Sequence, residues 1–150
     1  MTGARILVVD DEPALVRLCA ELLIEAGYQA QTAFGGQQAL ACLEQERLDL
    51  LLLDLKMPGV DGLMVLRRAG ELHPGVTVVI MTSYGTMENA IDALRAGARD
   101  FLLKPFDPDE LLEAVKRALA ARRHQEAAAP LEQAGQQPAP AEDALSTRAG

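Results

Sequence analysis

Four apolar runs in this chain each end on residues that could do chemistry. Ile6-Leu7-Val8-Val9 leads into Asp10-Asp11, and Leu50-Leu51-Leu52-Leu53 into Asp54. Val76-Thr77-Val78-Val79-Ile80-Met81 leads into Thr82-Ser83, and Phe101-Leu102-Leu103 into Lys104-Pro105. If these runs are parallel strands of one sheet, three carboxylates, a hydroxyl and an ammonium meet at one edge. Neighbouring carboxylates raise each other's pKa unless a positive charge intervenes, so Asp10, Asp11 and Asp54 make a site that favours a divalent cation. Oxygen donors without nearby His or Cys favour Mg2+ or Mn2+ over zinc. Mg2+ usually keeps waters and phosphate oxygens in its shell, which leaves room for a phosphoryl group. A carboxylate can itself be the nucleophile, giving an aspartyl phosphate. Asp54 is the candidate, because it ends the most apolar run. Lys104, with the metal, would neutralise charge on the transferring group, and Thr82 would donate a hydrogen bond to one of its oxygens. Singly, each residue has a plainer reading. Asp10 or Asp11 could be a helix N-cap, Asp54 the start of a turn with Pro58-Gly59, Thr82 a strand residue and Lys104 a surface charge. Their shared position, each directly after a strand, favours the chemical reading.

The elements that must position these groups alternate strand and helix five times. Arg5 to Asp10 reads as a strand, followed by a helix with Pro13 in its first turn and Leu15, Leu18, Leu22 and Ala26 at helical spacing, closed by Gly27. Tyr28 to Ala33 is a weaker strand, and Gly36 to about Glu46 a helix burying Ala39, Leu40 and Leu43. Asp49 to Asp54 is almost wholly apolar, as expected at the centre of a parallel sheet covered on both faces. Asp61 caps a third helix ending near Leu72, Val76 to Thr82 is the fourth strand, and Thr86 caps a helix that stops at Gly97. Asp100 to Leu103 is a short fifth strand. Asp107-Pro108-Asp109-Glu110 opens a last helix, with Leu111, Leu112, Val115 and Leu119 facing inward. Five such units predict a doubly wound α/β sandwich, in which ligands bind beyond the carboxyl ends of the strands.

The 150 residues suffice for one domain with a substantial core, and 49% are apolar. The expected division is a globular domain over 1–123 and a disordered Ala/Gln/Pro-rich tail or linker over 124–150. No apolar stretch reaches membrane-spanning length and no signal peptide precedes the first strand, so a cytoplasmic location is expected. A net charge of −8 argues against direct nucleic-acid binding. The basic residues Lys116, Arg117, Arg122 and Arg123 read as a helix end. Cys19 and Cys42 lack a CxxC pattern and read as small buried or half-buried residues rather than a redox pair. His73 and His124 lie beside a turn and at a helix end, in no catalytic setting.

The chain resembles the receiver domains of two-component response regulators over roughly residues 5 to 120. The resemblance is carried by Ile6-Leu7-Val8-Val9-Asp10-Asp11-Glu12, by Asp54-Leu55-Lys56-Met57-Pro58-Gly59-Val60-Asp61-Gly62, by Met81-Thr82-Ser83, and by Gly97-Ala98-Arg99-Asp100-Phe101-Leu102-Leu103-Lys104-Pro105-Phe106. It implies a flavodoxin-like (βα)5 fold with a parallel five-stranded sheet in the order 2-1-3-4-5. It implies phosphorylation of Asp54 by a histidine kinase or phosphotransfer protein. Mg2+, or Mn2+ in its place, would be held by Asp11, Asp54 and the backbone carbonyl of Lys56, with Asp10 acting mostly through water. It implies that Thr82 and Lys104 bind the phosphoryl oxygens, and that Phe101 changes rotamer as Thr82 moves. Pro105 is a candidate cis-proline. Such a protein is a switch that catalyses only its own phosphorylation and dephosphorylation. Its first helix would dock the kinase. Its α4-β5-α5 face, with Met87, Ile91 and Leu94 as candidate contacts, would address an effector or a phosphorylation-dependent second copy. Lys56 and Tyr84, two residues beyond Asp54 and Thr82, would shield the acyl phosphate from water.

Met81-Thr82-Ser83-Tyr84-Gly85-Thr86-Met87-Glu88-Asn89-Ala90 further resembles receivers of nitrogen-regulation-class transcription activators. No GxxxxGK[ST] loop is present, so the chain is either a fragment or a receiver with a tail. Two other classes fit less well. A dehalogenase-like phosphotransferase needs a second acid two residues after its nucleophile, where this chain has Lys56. A flavin carrier of the same fold needs a phosphate-cradling loop where this chain has Asp10-Asp11-Glu12.

Overall fold

The computed structural model describes residues 3–57, 59–83 and 87–135. Five parallel strands alternate with five helices: β1 (Arg5–Val9), α1 (Pro13–Glu25), β2 (Gln29–Ala33), α2 (Gly36–Gln45), β3 (Leu50–Asp54), α3 (Gly62–Leu72), β4 (Thr77–Thr82), α4 (Met87–Arg95), β5 (Asp100–Leu103) and α5 (Pro108–Gly135). The sheet order is β2-β1-β3-β4-β5, with every pairing parallel. The chain divides into two compact units, Met1–Leu119 and Ala120–Gly150.

Side chains of a strand alternate between faces, and the core follows that period. Leu7, Val9, Leu51, Leu53, Val78 and Ile80 face one way and pack with Ala39 and Leu43 of α2, Val65, Leu66 and Ala69 of α3, and Ala93 of α4. Ile6, Val8, Leu50, Leu52, Val79 and Met81 face the other way, onto Val16, Cys19 and Leu23 of α1 and Leu111, Val115 and Ala118 of α5. β3 has helices over both faces, which is why its sequence shows no polar alternation.

The register brings the polar strand ends together. Val9 lies opposite Leu53, Asp54 opposite Met81, and Thr82 opposite Leu103. Residues immediately after these positions therefore share one edge of the sheet.

Two expectations need correction. The fully buried residues of α1 are Val16, Cys19, Ala20 and Leu23; of the expected stripe Leu15, Leu18, Leu22 and Ala26, Leu15 and Leu22 are only partly buried against the same core. Leu18 is half exposed and Ala26 is exposed. Both sets have helical spacing, because the helix is apolar around more than half its girth; only the sheet decides which set lies inward. The final helix also runs past Arg123 to Gly135, so residues 124–135 are helix. Ala, Glu and Gln there have high helix propensity. The rest of the expected tail, 136–150, lies outside the described residues, as does the expected cap Thr86.

Local capping agrees with the sequence. Asp61 Oδ1 accepts from the Leu63 amide at 3.1 Å. Asp107 and Glu110 form a reciprocal capping box, each amide donating to the other's carboxylate at 2.9 and 2.8 Å.

Gly62 opens α3 against the backbone of β3's exit. A Cβ there would lie 2.5 Å from Leu55 Cα and 2.7 Å from its carbonyl oxygen. Gly70, in the same helix, has nothing within 4 Å of a Cβ. Gly62→Ala is therefore expected to destabilise the domain by about 1–3 kcal/mol through overpacking. Gly70→Ala should stabilise it by about 0.5–1 kcal/mol through helix propensity. Urea denaturation of the two variants checks both signs.

Candidate functional site

Asp10 follows β1, Asp54 ends β3, Thr82 ends β4 and Lys104 follows β5, so each polar group is placed by a strand whose apolar residues are locked in the core. Asp10, Asp54 and Thr82 are buried, and Asp11 is exposed at the mouth. One carboxylate oxygen from each of Asp10, Asp11 and Asp54 lies within 4.8 Å of the others. Lys104 Nζ donates to Asp10 Oδ2 at 2.7 Å and lies 3.8 Å from Asp54 Oδ2. Two of the three acids, Asp10 and Asp54, thus share one ammonium.

Backbone amides add partial compensation. Asp10 Oδ1 accepts from the Glu12 amide at 3.2 Å, and Asp54 Oδ1 from the Lys56 amide at 3.3 Å. These turns fix the first residues of the β1–α1 and β3–α3 loops on the carboxylates themselves. The Lys104 amide donates to the Thr82 carbonyl at 2.6 Å, extending the β4–β5 ladder to the site. Thr82 Oγ1 donates to the Ser83 carbonyl at 3.3 Å. The Lys104–Pro105 peptide bond is cis.

The electrostatics follow from this crowding. Burial first, and then the charge of Asp10, push the Asp54 carboxyl up to about 6, against the lowering effects of Lys104 and the Lys56 amide. Burial alone would lower the Lys104 pKa. Its hydrogen bond to Asp10 and the charges of Asp54, Asp10 and Glu12 outweigh that and hold it above the ordinary value. An all-oxygen donor set whose negative charge exceeds its positive charge, with one acid forced towards neutrality, fits a hard divalent cation.

Beside this cluster a cleft of about 420 Å3 is lined by Glu12 and Leu15 from the start of α1, Ser83 after β4, and Lys104, Pro105 and Phe106 after β5. The cleft was not anticipated from sequence. The signal for it is the second apolar stripe of α1, which leaves Leu15 only partly buried at the edge of the core and Leu18 exposed.

Other expected residues fall as follows. Phe101 pairs with Ile80 in register and is half-buried against the α2–α4 side of the core. Ile91 is exposed, whereas Leu94 packs on the core. Lys56 is exposed at the mouth, and Tyr84 lies outside the described residues. Cys19 is buried, with its thiol pushed up to about 11 by burial and then by Asp10; Cys42 is half-buried and also raised, chiefly by burial. The His73 ring lies with Nε2 2.7 Å from the Leu43 carbonyl oxygen, a link between α3 and α2. Among the described residues, no helix is long and apolar enough to cross a membrane.

Comparison with known proteins agrees with this geometry. The model of the response regulator receiver domain matches residues 6–116. Sporulation initiation phosphotransferase F of Bacillus subtilis is 40% identical over 119 residues, covering 79% of this chain and 96% of that protein. The transcriptional regulatory protein ZraR of Salmonella typhimurium is 39% identical over 131 residues, covering 87% of this chain. The chain spans only 30% of the length of that regulator. Among solved structures, the receiver domain of NtrX from Brucella abortus superposes with a TM-score of 0.72 at 39% identity, over 77% of this chain and 98% of that one. The expectation of no nucleic-acid contact gains no support from relatives named as transcription regulators. With an intact acidic cluster, the expected sheet order and a match over most of its length, this chain belongs to the response regulator receiver domain family and is similar to receivers of the nitrogen-regulation class.

Proposed function

We propose that Asp54 is the phosphoacceptor of this domain, and that a histidine kinase or phosphotransfer protein is its donor. The observation that carries the reading is the convergence of the Asp10, Asp11 and Asp54 carboxylates within 4.8 Å, with Lys104 shared between Asp10 and Asp54. Asp11, Asp54 and the backbone carbonyl of Lys56 would hold Mg2+, with Asp10 beside them; Mn2+ would fit the same oxygens. When bound, the cation supplies positive charge against the carboxylates and the incoming phosphoryl oxygens.

A carboxylate oxygen of Asp54 attacks phosphorus as the bond to the donor's imidazole nitrogen breaks, and the electron pair leaves with that nitrogen. Lys104 offers its ammonium to the phosphoryl oxygens, and Thr82 its hydroxyl. Thr82 ends the strand that pairs with β5, so its movement towards the phosphate would be felt by Phe101. The half-buried state of Phe101 and the exposed Ile91 on α4 support output through the α4-β5-α5 face, to an effector or to a second copy of the domain. The cleft beside Lys104, continued by exposed Leu18 on α1, supports donor docking at that end of the sheet. The domain then serves as a cytoplasmic switch rather than a turnover enzyme, and the helix beyond Leu119 as its link to a transcriptional output. The exposed Lys56, where a dehalogenase-like enzyme needs an acid, favours the switch reading.

With Mg2+ and acetyl phosphate, the intact mass should rise by one phosphoryl group in the parent protein and not in Asp54→Asn. Lys104→Ala should lower the rate at least roughly tenfold. Chelation of the metal should abolish the gain in the parent.

The charge crowding also sets a pH dependence in metal-free protein. The folded-state pKa of Asp54, about 6, lies above the value of 3.8 for an unperturbed aspartate. Protons are therefore bound more tightly in the folded state, and stability is lost as pH rises from about 4 to about 6. Asp54→Asn should be more stable than the parent above that window, by about 1–3 kcal/mol at pH 7.5, with the gap closing towards pH 4. Added Mg2+ should raise the parent's Tm and leave that of Asp54→Asn nearly unchanged. Thermal melts of both proteins across this pH range, with and without Mg2+, decide the matter.

A further inference from the structure

We propose that Gly36, which lies outside the carboxylate cluster, is a positioning residue for the cation and phosphoryl site. It acts through Val60 on the β3–α3 loop, whose Lys56 supplies both an amide to Asp54 and a carbonyl to the cation. The inference rests on the reading of the site proposed above.

Gly36 is the first residue of α2 and is buried. A Cβ at this position would lie 2.3 Å from Val60 Cβ, 2.7 Å from Val60 Cγ1 and 3.2 Å from the Val60 carbonyl oxygen. Side chain and glycine therefore touch with no room between them. Val60 itself is half-buried against the core shared by α2 and α3. Its seat on Gly36 fixes the far end of the loop that begins at Leu55.

The α2 side of this contact is held by hydrogen bonds on both sides of Gly36. The Asp10 amide donates to the carbonyl of Ala33, the last residue of β2, at 3.3 Å. The Phe34 amide donates to Gln38 Oε1 at 2.6 Å, and the Ala39 amide to the Gly35 carbonyl at 3.0 Å. Gly36 is thus held between two anchors, one of them the backbone of a cluster carboxylate. On the loop side Leu55 and Met57 are buried in the core, and the peptide of Lys56 lies between them. Lys56 is exposed, and its amide reaches Asp54 Oδ1 only at 3.3 Å. Added volume at residue 36 is relieved by moving Val60, and with it the Lys56 peptide. Groups that orient ligands in this way commonly change metal affinity by about 10–100-fold when altered.

The test is a Mn2+ titration of the full chain followed by electron paramagnetic resonance, with Asp54→Asn as the control for the site. Lys56 amide hydrogen exchange in metal-free protein gives a second readout. Gly36→Ala should weaken Mn2+ binding about tenfold and speed Lys56 exchange. Val60→Gly, which empties the same contact from the other side, should weaken binding about fivefold. The pair Gly36→Ala/Val60→Gly returns a methyl to the contact and should bind within about twofold of the parent. Leu43→Ala, a core truncation farther along α2, should lower the melting temperature without changing Mn2+ affinity. Parental affinity in Gly36→Ala, or a loss that Val60→Gly does not relieve, would overturn the inference alone. If Gly36→Ala does not fold, parental affinity in Val60→Gly overturns it equally. A parent protein with no Mn2+ site sensitive to Asp54→Asn would overturn the reading of the site and this inference with it.

Discussion

Like-charge repulsion at the carboxyl edge of the sheet is the constraint on which the functional account depends. Asp10, Asp11 and Asp54 converge there, Lys104 is shared between Asp10 and Asp54, and Asp54 is left so poorly compensated that its pKa rises to about 6. A fold selected for stability alone would replace one of these acids with a neutral residue. Their retention makes sense if a second cation and a phosphoryl group complete the charge balance. The buried strands make the arrangement tolerable, because β1, β3 and β4 are fixed by apolar packing on both faces and cannot splay to relieve it.

The same rigidity explains how a local change in charge would travel. Thr82 and Lys104 continue strands that are hydrogen-bonded to one another through the Lys104 amide. Phe101 lies on that shared ladder, half-buried, with α4 over the same face. A phosphoryl group that draws in Thr82 or Lys104 acts on an element already at the boundary between core and surface. On the opposite side, Leu15 of α1 lines a cleft that opens next to Lys104, and Leu18 of the same helix is exposed. The proposed donor and output surfaces would thus be distinct, and both would be tied to the same strand ends.

Much of this was legible in the sequence because parallel strands announce themselves as continuous apolar runs. Ile6–Val9, Leu50–Leu53 and Val76–Met81 gave away the sheet, and the residues after them the site. Capping boxes such as Asp107 with Glu110 were equally plain. What stayed hidden depends on tertiary packing. Leu15, Leu18 and Leu22 have the same spacing as Val16, Cys19 and Leu23, and no local rule says which set meets the sheet. The end of α5 was misplaced because Ala- and Gln-rich composition serves a helix as readily as a tail. The sharing of Lys104 between Asp10 and Asp54, closer to Asp10, is a matter of side-chain reach rather than sequence order. The close approach of Gly36 to Val60 joins the start of α2 to a loop far away in the chain, and neither residue carries a chemical group that would draw notice.

The most direct test of the central claim is a crystal structure of the full chain with Mg2+ and beryllium fluoride, an analogue of the phosphoryl group. The account predicts the fluoride complex on a carboxylate oxygen of Asp54, touching Lys104 and Thr82, with the cation on Asp11, Asp54 and the Lys56 carbonyl. Saturating Mg2+ and beryllium fluoride that leave Asp54 unmodified, or a cation seated away from these three residues, would contradict it.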